Sequence, residues 1–180
     1  MHKEKNHSST LNCHPSTLKS IVIDNEAEIL SIHANLLHNF TVMKGRSLKI
    51  LLLEDDTIEV MKVNRVINSQ EIKHQLIEAS NGEEALDILN KKDSLPDIIL
   101  LDLNMPKING IEFLEKLKND DRLRYIPVIV LTTSGNHRDL LECYKIGVAG
   151  YVLKPLKYED YVFKMEKLLS YWSINELITL

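Results

Sequence analysis

From Leu48 onward, short continuous apolar runs alternate with stretches in which apolar side chains return every three or four positions. KILLL (49–53) is unbroken, the pattern of a strand buried on both faces of a parallel sheet. Residues 57–69 carry Ile58, Met61, Val63, Val66 and Ile67 on a helical period. HQLIEAS (74–80) predicts a second strand, which Asn81-Gly82 punctuates, and EEALDILNKK (83–92) a helix with Ala85, Leu86 and Leu89 inward. After SLPD come a third strand, DIILLDL (97–103), a loop, NMPKING (104–110), and a helix, IEFLEKLKN (111–119). Pro127 opens a fourth strand, VIVLT (128–132), and HRDLLECYKIG (137–147) is a fourth helix with Gly147 as its stop. GYVL (150–153) and KYEDYVFKMEKLLSYW (157–172) supply the fifth strand and the fifth helix.

Five strands alternating with five helices argue for an α/β domain: an open parallel sheet, doubly wound, with right-handed crossovers. The reading divides the chain into an extension (1–47), a domain (48–174) and a short tail (175–180). Within the extension, residues 1–19 are polar and irregular, and TVMKGRS (41–47) reads as a linker. Residues 20–40 are different: IVIDNEAEIL repeats the apolar-run-then-acids pattern of LLLEDDTIEV (51–60) at an offset of 30. They read either as the first strand and helix of a second, truncated copy of the domain or as a chance amphipathic helix that packs on the domain or on a partner. In the copy, Asn25 would stand at the place of Asp55.

Composition narrows the class. The 180 residues are 44% hydrophobic and 27% charged, as in ordinary globular proteins. Lys and Arg number 22 against 26 Asp and Glu, a net charge of −4. That balance argues against a nucleic-acid partner. No apolar run approaches the roughly 18–20 residues of a membrane span, and the first ten residues lack the apolar core of a secretory signal. The only cysteines, Cys13 and Cys143, form no disulfide framework, so a cytoplasmic location is expected. His2, His7, Cys13 and His14 lack the spacing of a metal site.

Chemistry gathers where the predicted strands end, since ligands of open parallel sheets bind beyond the carboxyl ends of the strands. The first strand runs into Glu54, Asp55 and Asp56, the third ends in Asp102, the fourth in Thr132 and the fifth in Lys154. Carboxylates crowded at one sheet edge repel one another, and a hard divalent cation such as Mg2+ relieves that repulsion. A lysine and a hydroxyl beside them would stabilise the equatorial oxygens of an incoming phosphoryl group. One carboxylate would then be the nucleophile.

The motifs LLLEDD (51–56), IILLDLNMPKING (98–110), PVIVLTTS (127–134) and GYVLKPL (150–156), in this order and spacing, resemble those of response-regulator receiver domains of two-component signalling. The resemblance implies a flavodoxin-like doubly wound five-stranded parallel sheet with five helices. It implies that Asp102 is the phosphoacceptor and that Mg2+ is held by Asp55 and Asp102 directly, by Glu54 through water and by the backbone carbonyl of Asn104. Thr132 would be the switch hydroxyl, Tyr151 the switch aromatic and Lys154 the phosphate-binding lysine, with Lys154–Pro155 cis. Glu54 and Thr133 depart mildly from the family's commonest residues, which are Asp and a small residue such as Ala. Ser134 and Asn104 would tune the phosphoryl lifetime.

The closing SYWSINEL (170–177) and TTSGNHRDLLECYKIGV (132–148) resemble stand-alone receivers, including those paired with bacterial phytochromes. The implied function is that of a signalling protein rather than an enzyme. It takes a phosphoryl group from a histidine kinase or histidine phosphotransfer protein and acts by binding a downstream protein partner, since only eight residues follow Trp172. A homodimer through helix four, strand five and helix five would fit the family. Two competitors are a phosphatase of the haloacid-dehalogenase kind and a degenerate receiver serving only as an interaction module. The former wants a second Asp two residues past the nucleophile, where this chain has Asn104; the intact Asp, Thr and Lys set argues against the latter.

Overall fold

The structure, a computed structural model, describes residues 45–91 and 95–178. Residues 1–19 and the 20–40 repeat lie outside the described residues. Five parallel strands, β1 (Lys49–Leu53), β2 (Gln75–Ala79), β3 (Ile98–Leu101), β4 (Val128–Thr132) and β5 (Gly150–Leu153), form one sheet in the order β2-β1-β3-β4-β5. The helices are α1 (Thr57–Ser69), α2 (Gly82–Asn90), α3 (Gly110–Asn119), α4 (His137–Ile146) and α5 (Tyr158–Ser173). This is the doubly wound, flavodoxin-like arrangement expected.

Alternation along the strands divides the core in two, because successive side chains leave a strand on opposite faces. Leu51, Leu53, Ile99, Leu101, Val128 and Val130 meet Ala85 and Leu89 of α2, Phe113, Leu114 and Leu117 of α3, and Cys143 of α4. Ile50, Leu52, Ile98, Leu100, Ile129 and Leu131 meet Val63, Val66 and Ile67 of α1 and Tyr161, Met165 and Leu169 of α5. Apart from Lys49 and Thr132 at their ends, the central strands are therefore apolar, whereas edge strand β2 is less buried, with Gln75 and Glu78 exposed.

Local signals set the helix ends. The Asp56 carboxylate accepts from Ile58 N at 2.8 Å and Asn81 Oδ1 from the amides of Glu83 and Glu84, so orphan N–H groups are satisfied. Asn109 and Glu112 form a reciprocal capping box on α3. Gly147, at φ 112, ends α4 in the left-handed conformation that glycine adopts without steric cost.

Four details differ from the sequence pattern. Ile58 and Met61 are 63% and 67% exposed, so the apolar stripe of α1 is narrower than its periodicity suggested. Lys154–Pro155 is trans, since no peptide bond among the described residues is cis; trans is the isomer an X-Pro amide favours by about 0.5–1 kcal/mol. Arg46, in the predicted linker, donates from its backbone to the Ser173 carbonyl, and its guanidinium pairs with Asp97 at 2.8 Å. Leu177, in the predicted tail, packs against the α1–α5 core.

Candidate functional site

Backbone pairing delivers the strand-end residues to one edge of the sheet. Glu54 N donates to Ala79 O and Asp102 N to Leu53 O, each at 3.0 Å, so these acids continue the ladders of adjacent strands. Lys154 N donates to Thr132 O at 2.8 Å, which ties the end of β5 to that of β4. Positions separated by 100 residues thereby share one pocket.

Carboxylate oxygens of Glu54, Asp55 and Asp102 lie within 4.8 Å of one another, Glu54 and Asp102 buried and Asp55 exposed. The Lys154 ammonium reaches back across the end of β4 to lie 2.5 Å from Glu54 Oε2 and 3.8 Å from Asp102 Oδ1. Its side chain is only 6% exposed, so this is a buried ion pair at the centre of an anionic pocket. Burial pushes the Glu54 carboxyl above the usual range; the Lys154 hydrogen bond and charge oppose that shift and the charge of Asp102 adds to it.

Asp102 is asymmetrically engaged. Its Oδ2 accepts from the Asn104 backbone amide at 3.3 Å, whereas Oδ1 is buried without a hydrogen-bond partner. Thr132, fully buried at the end of β4, accepts at Oγ1 from the Ser134 amide at 3.2 Å and from the Asn104 side chain at 3.5 Å. The Tyr151 hydroxyl, half-buried, donates to the Ser134 carbonyl at 2.9 Å, and Ser134 Oγ donates to Asp139 at 2.7 Å. The loop after β4 thus links Thr132 to Tyr151.

This arrangement can hold a divalent cation: three carboxylates converge, and an unpartnered buried Asp102 oxygen is the kind of hard donor such an ion takes. It can also take a phosphoryl group beside the same oxygen. Glu54, Asp55, Asp102 and Lys154 come together here, Asn104 contacts both Asp102 and Thr132, and Tyr151 is connected through Ser134.

Two features of the site carry no distinguishing mark in the sequence. Glu59, in the first turn of α1, places Oε2 3.8 Å from Lys154 Nζ; an acid in that turn looks like an ordinary helix-dipole residue. Gly110 looks in the sequence like no more than the end of a loop. A Cβ there would lie 2.4 Å from Asp102 O and 2.6 Å from Leu103 Cα, so α3 docks against the backbone that carries Asp102.

Comparison with known proteins decides the family: the family model of the response regulator receiver domain matches residues 50–166. The chain belongs to the response regulator receiver family. Response regulator Rcp1 of Synechocystis sp. is 35% identical over 128 residues, covering 68% of this chain and 87% of that protein. The crystal structure of its Mn2+-bound form superposes with a TM-score of 0.69 over 73% of this chain and 99% of that one. The phosphorylated cyanobacterial phytochrome response regulator RcpA superposes with a TM-score of 0.71 at 31% identity, over 74% of this chain and 99% of that one. The probable methanogenesis regulatory protein FilR2 of Methanothrix harundinacea is 39% identical over 127 residues, covering 68% of this chain and 82% of that protein. The likeness to phytochrome-associated receivers expected from the closing motifs is therefore found. Such receivers are signalling proteins, with an acidic pocket for Mg2+ or Mn2+. Among the described residues, no helix is long and apolar enough to cross a membrane.

Proposed function

We infer that Asp102 accepts a phosphoryl group from the phosphohistidine of a histidine kinase or a histidine phosphotransfer protein. The observation that carries this reading is Asp102 Oδ1: a buried carboxylate oxygen without a partner, 3.8 Å from the Lys154 ammonium. Attack by that oxygen forms a P–O bond as the P–N bond to the donor imidazole breaks. The imidazole leaves as a neutral ring once it is protonated. Lys154 donates to one equatorial oxygen of the phosphoryl group, and Thr132, freed from its loop contacts, donates to another.

Asp55, Asp102 and the backbone carbonyl of Asn104 would hold Mg2+, with Glu54 acting through water. When bound, the ion neutralises charge that would otherwise repel the phosphoryl donor. Asn104, two residues past the nucleophile, carries no acidic proton for rapid hydrolysis, which favours a phosphorylated signalling state over phosphatase turnover.

Output follows from the link to Tyr151. As Thr132 moves toward the phosphoryl group, the loop holding the Tyr151 hydroxyl shifts and the ring turns inward. The neighbouring face, formed by α4, β5 and α5, exposes Leu141, Tyr144, Leu153, Phe163 and Tyr171, apolar surface suited to a downstream protein or a second copy of the chain. A cytoplasmic location is consistent with this scheme.

Incubation with acetyl phosphate and magnesium tests the reading. The unaltered protein should gain one phosphoryl group by intact mass and Asp102→Asn none; equal labelling of both would end it.

A further inference from the structure

Lys154 carries three N–H donors, and only one has a close acceptor, Glu54 Oε2 at 2.5 Å. Two more carboxylate oxygens, Glu59 Oε2 and Asp102 Oδ1, each lie 3.8 Å from the same nitrogen. Both are buried, and neither has a hydrogen-bond partner. The other oxygen of Glu59 is held by Lys62 at 2.5 Å, which fixes that side chain from its own helix while Oε2 stays uncommitted. Burial, together with the Glu59 charge, drives the hydroxyl of the buried Tyr161 far above the ordinary range. Glu59 is 17% exposed, so its charge is poorly screened by water.

These three anions are not equivalent. Glu54 and Asp102 belong to the cluster with Asp55 that can take a cation, and Glu59 does not. An ammonium shared only between Glu54 and Asp102 would compete with the cation for the carboxylates the cation needs. Glu59, a third carboxylate near the ammonium, offers it a partner outside that cluster. A movement of about 1 Å would bring Nζ within hydrogen-bond distance of Glu59 Oε2.

We propose that Glu59 is a positioning residue for Lys154, holding its ammonium when a divalent cation draws on Glu54, so that lysine and cation occupy the pocket together. This rests on the reading of Glu54, Asp55 and Asp102 as the cation site. The plainer role for Glu59, an acid in the first turn paired with Lys62, would act independently of Lys154. The two roles separate in a double-mutant cycle, which isolates the coupling between the pair.

The experiment is a calorimetric titration of the full chain with magnesium chloride. The proteins are the unaltered chain, Glu59→Gln, Glu59→Ala, Lys154→Met and the Glu59→Gln/Lys154→Met double variant, each shown to be folded by its thermal transition. Both Glu59 variants should bind magnesium about three- to tenfold more weakly, a coupling expected within one ion-pair network. In the Lys154→Met background, Glu59→Gln should change the affinity by less than about twofold. Unchanged affinity in the Glu59 variants, or equal weakening with and without Lys154, would overturn the inference and leave the cation site standing. No magnesium binding by the folded, unaltered protein would overturn the cation-site reading and this inference with it.

Discussion

The Lys154 ammonium lies 2.5 Å from Glu54 Oε2, a buried ion pair that joins the ends of β5 and β1 across β4 and β3. Neither strand touches the other, so the lysine side chain itself bridges the pocket. It neutralises part of an anionic cluster that would otherwise oppose folding.

Removing that bridge exposes the repulsion. Lys154→Met leaves Glu54, Glu59 and Asp102 without their shared cation. In metal-free buffer at pH 7 it should cost about 3 kcal/mol in urea denaturation, as for other broken buried pairs. Burial holds the Glu54 carboxyl above its usual range, so Glu54 takes up a proton early as pH falls. The cost should therefore shrink toward pH 4.5. A penalty that is the same at both pH values would mean that the lost charge is not what destabilises the variant.

At the opposite end of the strands, Leu48 N donates to His74 Nδ1 at 3.1 Å, which requires the neutral ring at that nitrogen. Burial lowers the His74 pKa from its ordinary 6.5. A base with a depressed folded-state pKa contributes stability that is present above the unfolded value and lost as pH falls through the folded one. The urea midpoint should decline as pH drops below 6.5, and His74→Gln should flatten that decline. An unaltered slope in the variant would assign the pH dependence to other groups.

Close packing beneath Asp102 gives a third expectation. Gly110→Ala puts a methyl group against Asp102 O and Leu103 Cα, backbone atoms that cannot turn aside. The variant should lose about 2–3 kcal/mol, in the range of overpacking, and should be phosphorylated more slowly because the Asp102 backbone must shift. Wild-type stability would show that α3 can slide without disturbing the site.

Much of this architecture was legible along the chain. The bounds of β1, α1, β4 and β5 match the apolar runs, because strands buried on both faces carry unbroken apolar sequence and Asp56 marks the start of α1. The strand-end acids, Thr132 and Lys154 were legible because the edge where they meet follows from parallel topology. What the pattern could not reveal depends on distances between elements. Glu59 reaches Lys154 only because β1 and β5 end at the same level and α1 starts beside them. Arg46 has no local mark of importance, since its partner Asp97 lies 51 residues away. Ile58 and Met61 fit a helical period yet face outward, because α1 packs through Val63, Val66 and Ile67, with Val60 partly buried beside them.

The most direct measurement is the position and chemistry of the phosphoryl group. After reaction with acetyl phosphate and magnesium, treatment with hydroxylamine converts an acyl phosphate to a hydroxamate, which peptide mass spectrometry can place. A hydroxylamine-sensitive group is expected on the peptide containing Asp102, with Glu54, Asp55 and Asp56 unmodified. A group resistant to hydroxylamine, or one on any other residue, would contradict it.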